Sequence, residues 1–245
     1  RGGKTAIMKK GIKITSKIIM MVLFPLFFIS MTGIIMGGNN QKEIAYRLIE
    51  EKLAAVAMNV NTLYDIYGEG DYSCEEGILK KGEKDLSEDY ALIDQIKKES
   101  GLEVTLFWDN VRAITTVTDS KGERATGTTI DADFAEDILN GKSDKYFAKD
   151  IEIAGAAYCG FYIPMKQDNG DIVGLVFTGR AKEDVEKEIK KSQMKMAGGM
   201  MIIFILTFAV IAILVQKIIA ALKHTIERLD DVATGKLDFE MHSRM

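Results

Sequence analysis

Two uninterrupted apolar stretches divide the chain into three parts. Residues 18–38 and residues 196–215 contain no charged side chain, whereas charged residues occur throughout the segment between them. At about 1.5 Å of rise per residue, a helix of about 20 residues spans the hydrocarbon core of a bilayer. The pattern therefore predicts two transmembrane helices, at residues 18–38 and 196–215, flanking an independent domain at residues 39–195.

The first part of this central segment has the spacing of a long amphipathic helix that Gly68 ends. Its apolar side chains recur at alternating steps of four and three residues, which is typical of a coiled coil. These residues are Ile49, Leu53, Val56, Val60, Leu63 and Tyr67. Such a stripe packs on its own domain, on a partner helix in a dimer, or on both. A second helix is expected to begin with Ser87 as its N-cap and to end at Gly101.

Beyond Gly101 the apolar pattern changes from the helical period to that of strands. Predicted strands cover residues 104–108, 112–118, 146–153, 156–165 and 172–180, with a short helix at 132–140 that Asp131 caps. Asp109-Asn110 and Asn169-Gly170 are turn sequences that join neighbouring strands. Helices followed by five turn-linked strands predict an α+β domain with a five-stranded antiparallel sheet.

The charge distribution predicts the orientation of the chain in the membrane. Residues 1–17 carry six basic and no acidic side chains, and such basic flanks stay in the cytoplasm. Two spans then export residues 39–195 and return residues 216–245 to the cytoplasm, so we expect a two-pass protein of the inner or plasma membrane. The exported segment carries 21 basic and 31 acidic side chains, which argues against nucleic acid as a partner.

The residue types of the exported segment argue against an enzyme. Both histidines, His224 and His242, lie in the segment assigned to the cytoplasm, so no Ser-His-Asp or Cys-His site and no His-ligated metal is expected outside. We expect no cofactor and no metal. Cys74 and Cys159 are expected to be free thiols, with a disulfide as the alternative, since both are exported.

A small-molecule pocket in the sheet remains as the candidate site. An arginine at the head of a strand can bind a carboxylate through two hydrogen bonds, although a surface arginine is the alternative. Three aromatic residues can line such a pocket, and two threonines can donate hydrogen bonds. The candidate ligand-binding residues are Phe107, Arg112, Thr115, Tyr158, Tyr162 and Thr178. Both sheet faces carry apolar residues, so the pattern does not decide which face forms the pocket.

Two parts of the sequence resemble known modules. VTLFWDNVRAITTVTDSKGERATGTTID and YFAKDIEIAGAAYCGFYIPMKQDNGDIVGLVFTGR resemble the single Cache sensor domains of bacterial receptors, and KIIAALKHTIERLDDVATGKLDFE resembles the start of a HAMP module. One departure is Ala220-Ala221, where many HAMP modules have a proline. Together these segments resemble the N-terminal half of a methyl-accepting chemotaxis protein.

The resemblance implies a PAS-like sheet behind a long N-terminal helix, and a domain that binds a carboxylate or an amino acid without transforming it. It also implies a homodimer that signals through the second span and the HAMP module at residues 216–245. The output domain that addresses cytoplasmic signalling proteins is expected beyond residue 245. A sensor histidine kinase or cyclase with the same front half is the alternative, and an anchored exported enzyme is a third reading.

The segment after the second span is predicted from its own pattern to be helical. Ile219, Leu222, Ile226, Leu229 and Ala233 recur at steps of three and four residues. Gly235 is expected to end this helix. Residues 182–195 are also helix-prone and contain no glycine or proline, so we expect one helical path from the last strand into the second span.

Overall fold

Within residues 2–87, 90–130 and 132–233, which a computed structural model describes, the chain forms four helices and eight strands. The helices are α1 (Gly2–Tyr67), α2 (Tyr90–Ser100), α3 (Asp133–Leu139) and α4 (Lys182–Ala233). The strands are β1 (Tyr72–Glu75), β2 (Ile78–Lys81), β3 (Lys84–Asp85), β4 (Glu103–Trp108), β5 (Val111–Thr115), β6 (Tyr146–Ile153), β7 (Ala156–Lys166) and β8 (Ile172–Ala181). The described residues between 40 and 192 form one compact unit, and the described residues before 40 and after 192 form a second.

The last five strands form one antiparallel sheet in the order β5-β4-β8-β7-β6. This confirms the predicted α+β fold and its five-stranded antiparallel sheet. Two-residue turns close the β4–β5 and β6–β7 hairpins, and five residues connect β7 to β8. Asp109 takes a φ of 52° in the turn between β4 and β5. The predicted and observed strands differ most in β5, which ends at Thr115 rather than at the predicted Thr118.

The C-terminal half of α1 packs on one face of this sheet, which we call the helix face. Its buried residues recur at steps of three and four: Tyr46, Ile49, Leu53, Ala57, Val60 and Tyr64. The predicted stripe is partly wrong, because Leu63 is 42% exposed. A strict alternation of four and three averages 3.5 residues, whereas an α-helix has 3.6 per turn, so the buried stripe drifts away from that spacing.

A small three-stranded sheet, β1-β2-β3, joins α1 to α2 and was not predicted. Its strands have four, four and two residues, which is too short to display an alternating pattern. Gly82 is required in this sheet, because its φ is 58° and a Cβ there would lie 1.9 Å from the carbonyl oxygen of Glu69.

The structure describes only some of the predicted helix ends. The hydroxyl of Ser87 accepts a hydrogen bond from the Leu79 N–H at 2.6 Å, and residues 88 and 89 lie outside the described part. The N-cap of α3 is Ala132, without a side-chain hydrogen bond, and the predicted cap Asp131 is not among the described residues. The predicted stop at Gly235 also lies outside them.

The second unit contains the apolar parts of α1 and α4. Among the described residues, these two helices are long and apolar enough to cross a membrane, judged by length and composition. Gly33 and Gly37 lie where α1 meets α4: a Cβ on Gly33 would be 3.5 Å from Met200 Cε, and one on Gly37 would be 3.1 Å from Met196 Cε. Small residues therefore let these two helices approach closely.

Candidate functional site

A shift in strand register decides which way Arg112 points. Leu106 pairs with Ile114, but Phe107 pairs with Arg112, so one residue of β5 is left over between the two pairs. Because successive side chains of a strand point to opposite faces, this bulge places Arg112 on the same face as Phe107. The Arg112 Cζ accordingly lies 5.1 Å from the centre of the Phe107 ring.

This second face of the sheet, which we call the α3 face, has a core of its own. Its fully or nearly buried residues come from four strands, the segment after β5 and α3: Phe107, Val117, Ile130, Ala135, Ile138, Ile153, Tyr158, Tyr162, Leu175 and Phe177. Two glycines, Gly160 and Gly179, leave room for one large ring. A Cβ on Gly160 would be 2.5 Å from Phe177 Cε2, and one on Gly179 would be 2.3 Å from Phe177 Cζ.

Five of the six predicted site residues lie on the α3 face. They are Phe107, Arg112, Thr115, Tyr158 and Tyr162. Thr178 is not brought to this group. Its hydroxyl donates a hydrogen bond of 2.8 Å to the carbonyl oxygen of Leu53 in α1, because its position in β8 alternates with that of Phe177 and so faces the helices.

Arg112 is a buried cation without an acidic partner among the described residues. Its side chain is 6% exposed, and its Nη1 donates to the Thr128 hydroxyl at 2.7 Å. Its Nε is buried and makes no hydrogen bond. Burial lowers the pKa of the guanidinium, and the neighbouring Tyr162 opposes this shift. A buried charge is ordinarily paired, and the described residues supply Arg112 with no acidic partner.

Tyr162 supplies a second unused polar group on the α3 face. Its ring is fully buried and its hydroxyl has no hydrogen-bond partner. Burial raises the pKa of this phenol, while the positive charge of Arg112 acts in the opposite direction. The hydroxyl is therefore neutral at ordinary pH, and it can donate a hydrogen bond to the same anion that Arg112 would bind.

Two threonines on the same face satisfy each other. Thr105 and Thr115 are opposite one another in β4 and β5, and their buried hydroxyl oxygens are 2.7 Å apart. The Thr115 hydroxyl also accepts from the Val117 N–H at 3.1 Å. Thr115 therefore has part of its hydrogen-bonding capacity committed, in contrast to Tyr162.

The chain after β5 builds the outer wall of this region. Arg112 N–H donates to the Thr128 carbonyl at 2.9 Å, and Ile130 N–H donates to the Asn110 carbonyl at 2.9 Å. This pairing leads into α3, whose Phe134 ring packs on the Tyr162 ring with 4.9 Å between centres. On its other side the Phe134 ring stacks on Tyr146 at 4.1 Å.

An open cleft of about 450 Å³ lies outside this wall. Its lining residues are Asp133, Phe134, Asp137, Ser143 and Tyr146. Among the described residues no group of three or more His, Cys, Asp or Glu side chains could hold a metal ion. Both cysteines are free: Cys159 is buried and Cys74 is half-buried.

Residues 84–192 match the family model described as "Single cache domain 3". The fold is that of a Cache domain. Among solved structures, the Escherichia coli DcuS sensor domain matches at 18% sequence identity with a TM-score of 0.41, covering 60% of this chain and 98% of that chain. No curated protein matches.

Sequence reasoning missed three residues of the Cache domain that bear on the site. Thr128 holds Arg112 from a segment without regular structure, and nothing in the local pattern marks it. Phe134 and Tyr146 stack across 12 residues of sequence. The spacing of Phe134 and Ile138, four residues apart on a short helix, is the one signal that could have placed Phe134 on the sheet.

Proposed function

We propose that this protein is a membrane receptor whose extracytoplasmic Cache domain binds a small carboxylate, and that Arg112 is the principal anion-binding residue. One observation carries the proposal: a buried guanidinium has an unused Nε, and the Phe107 ring that it contacts also contacts the ring of Tyr162, whose hydroxyl is unused. A carboxylate satisfies both groups and neutralises the charge. A free carboxylic acid or the carboxylate of an amino acid meets this requirement.

Pairs of isosteric ligands test this proposal. We expect acetate, propionate or succinate to raise the unfolding midpoint of the full chain in lipid nanodiscs, and their uncharged amides to have no effect. α-Amino acids against their amides extend the panel. Losing a charge-assisted hydrogen bond in Arg112→Ala should weaken binding of the best carboxylate about tenfold to a hundredfold.

A matched control separates the site from general damage. Arg124 follows β5 in the chain, and its guanidinium is paired with both carboxylate oxygens of Asp94, at 2.9 and 2.7 Å. Arg124→Ala should therefore leave carboxylate affinity unchanged. Equal affinity of Arg112→Ala and the unaltered protein for every carboxylate would remove Arg112 from the site.

The proposed topology places residues 39–195 outside and both ends of the chain inside. Two helices long and apolar enough to span a membrane, together with the basic segment at residues 1–17, support it. In a variant without Cys74 and Cys159, an impermeant thiol reagent should label Ser120→Cys on intact cells and should not label Ser243→Cys. Ser120 is exposed in a turn, so a failure to label it would contradict export.

We propose further that the receptor is a homodimer joined through α1. Ile44 and Leu48 are 47% and 58% exposed and line an apolar groove of about 650 Å³. Burying such side chains against a second copy contributes roughly 25 cal/mol per Å². Oxidation should cross-link Leu48→Cys chains in membranes. Lys98→Cys, on an exposed charged surface, is the control.

The proposed output is chemotaxis. The support is the resemblance of residues 217–240 to the start of a HAMP module, and the run of α4 to Ala233. A sensor histidine kinase or cyclase shares this front half. The residues that follow position 245 distinguish the two: a long helical hairpin with a Glu-rich tip for a chemoreceptor, and a domain with a phosphorylatable histidine and a nucleotide site for a kinase. The domain is proposed to bind its ligand without chemical change.

A further inference from the structure

The Phe134 ring covers one side of the buried Tyr162 ring. Its ring lies between two other rings, stacked on Tyr146 with an interplanar angle of 9° and tilted by 53° against Tyr162. Tyr146 is 40% exposed, whereas Tyr162 is fully buried. The Phe134 ring thus lies between the exposed Tyr146 and the buried Tyr162.

The cleft outside Phe134 has the size of a small-molecule site. Its volume of about 450 Å³ falls in the range of ligand pockets. Phe134 and Tyr146 line it, but Tyr162 and Arg112 do not. The Phe134 ring therefore lies between a ligand in the cleft and the unused hydroxyl of Tyr162.

The helix that carries Phe134 is easily displaced. α3 has seven residues, and its N-cap, Ala132, offers no side-chain hydrogen bond. A helix this short has little stability of its own, and a missing N-cap removes a usual source of it. What holds it is the packing of Phe134, Ala135 and Ile138 on the sheet.

We propose that Phe134 is the gate of the Arg112–Tyr162 site. When α3 moves outward, the Phe134 ring leaves Tyr162 and the cleft becomes continuous with Arg112; when α3 returns, the ring closes over the bound anion. The identity of the anion rests on the proposed function, but the gate itself can be tested without any ligand.

The test measures how fast a small reagent reaches Arg112. Phenylglyoxal modifies accessible guanidinium groups, and peptide mass spectrometry of the full chain in nanodiscs reports each arginine separately. Arg112 should react slowly in the unaltered protein. Phe134→Ala should raise that rate roughly tenfold, because it removes two aromatic contacts that hold the closed state. Arg124 and Arg180, outside the gate, are internal references whose rates should not change.

A matched variant distinguishes gating from loosening of the domain. Phe147 is also a half-buried aromatic residue, but it packs on the helix face. Phe147→Ala should leave the Arg112 rate unchanged. If Phe147→Ala raises it as much as Phe134→Ala does, or if Phe134→Ala leaves it unchanged, the gate is wrong.

Two further results complete the test. Trp108 fluorescence shows whether Phe134→Ala folds. If it does not, Phe134→Leu is used instead: it keeps most of the apolar volume without the aromatic stacking, and should still accelerate modification of Arg112. With a carboxylate as probe, the open gate should raise association and dissociation rates together by a similar factor. Faster modification of Arg112 without carboxylate binding would support the gate and overturn the proposed ligand; slow modification with carboxylate binding would do the reverse.

Discussion

Replacing Arg112 by methionine should stabilise the ligand-free protein while abolishing anion binding. The two side chains have similar length, so the change removes the charge and keeps much of the packing. Arg112 is 6% exposed, and taking an ion of this kind out of water costs several kcal/mol. In the described part of the chain no carboxylate repays that cost.

The remaining contacts of Arg112 offset only part of the desolvation. Its hydrogen bond to Thr128 returns about 1.5–3 kcal/mol because one partner is charged. The Phe107 ring, 5.1 Å from Cζ, adds roughly 2 kcal/mol at most. We therefore expect Arg112→Met to raise the free energy of unfolding by about 1–3 kcal/mol, near the range observed when buried charges are replaced by apolar side chains.

Trp108 is a suitable reporter for this measurement. It is the single tryptophan of the chain, it lies at the end of β4, and it packs against the helix-face core. Its fluorescence during urea or thermal unfolding of the full chain in nanodiscs therefore follows residues 40–192 rather than the spans. A gain of 1 kcal/mol should raise the midpoint by about 2–4 °C.

Arg124→Met is the control, and it should have the opposite effect. Arg124 donates to both oxygens of Asp94 and, at 2.7 Å, to the Thr115 carbonyl. Its removal leaves these acceptors without their donor and should lower the midpoint. If Arg112→Met lowers the midpoint as much as Arg124→Met does, the buried guanidinium is already satisfied in the ligand-free protein, and the reasoning from an unpaired cation is refuted.

Three further predictions use the same reporter. Gly179→Ala should lower stability by about 1–3 kcal/mol through overpacking, because a Cβ there would lie 2.3 Å from Phe177 Cζ; an unchanged midpoint would contradict the tight packing. Thr178→Val should cost about 0.5–1.5 kcal/mol by removing the hydrogen bond to Leu53 and leave carboxylate affinity unchanged; weakened binding would return Thr178 to the site. Hydrogen bonds from Arg180 hold the pKa of Glu188 below its usual 4.5. The unaltered protein should therefore be more stable than Glu188→Gln above pH 4.5, and this difference should shrink as the pH falls through the lowered pKa. A difference in stability that does not depend on pH would contradict that coupling.

The periodicity of the sequence was enough for the helices, the five-stranded sheet and the fold class, but not for the short strands β1, β2 and β3. Uncharged runs of about 20 residues marked the two helices long enough to span a membrane, and the change from helical to strand period marked the sheet. These features depend on local side-chain order, because burial on one face of a helix or strand repeats along the chain itself. The exported location and the dimer remain predictions.

Only part of the candidate site could be predicted from local periodicity. The residue types that suit an anion pocket were identifiable, and five of the six candidates lie on one face. Thr178 does not, because side chains alternate along β8 and its register against β4 and β7 turns it towards α1. Register depends on pairing between distant strands, and local periodicity carries no information on it.

The tertiary structure alone decided where Arg112 points and what surrounds it. One leftover residue in β5 turns its side chain to the α3 face, and Thr128 and Phe107 contact it from separate parts of the chain. A bulge shifts a strand by a single residue, and that shift exchanges the two faces of the sheet. The sequence determined that an arginine stood at the head of a strand; only the packing of the folded domain made it a buried charge.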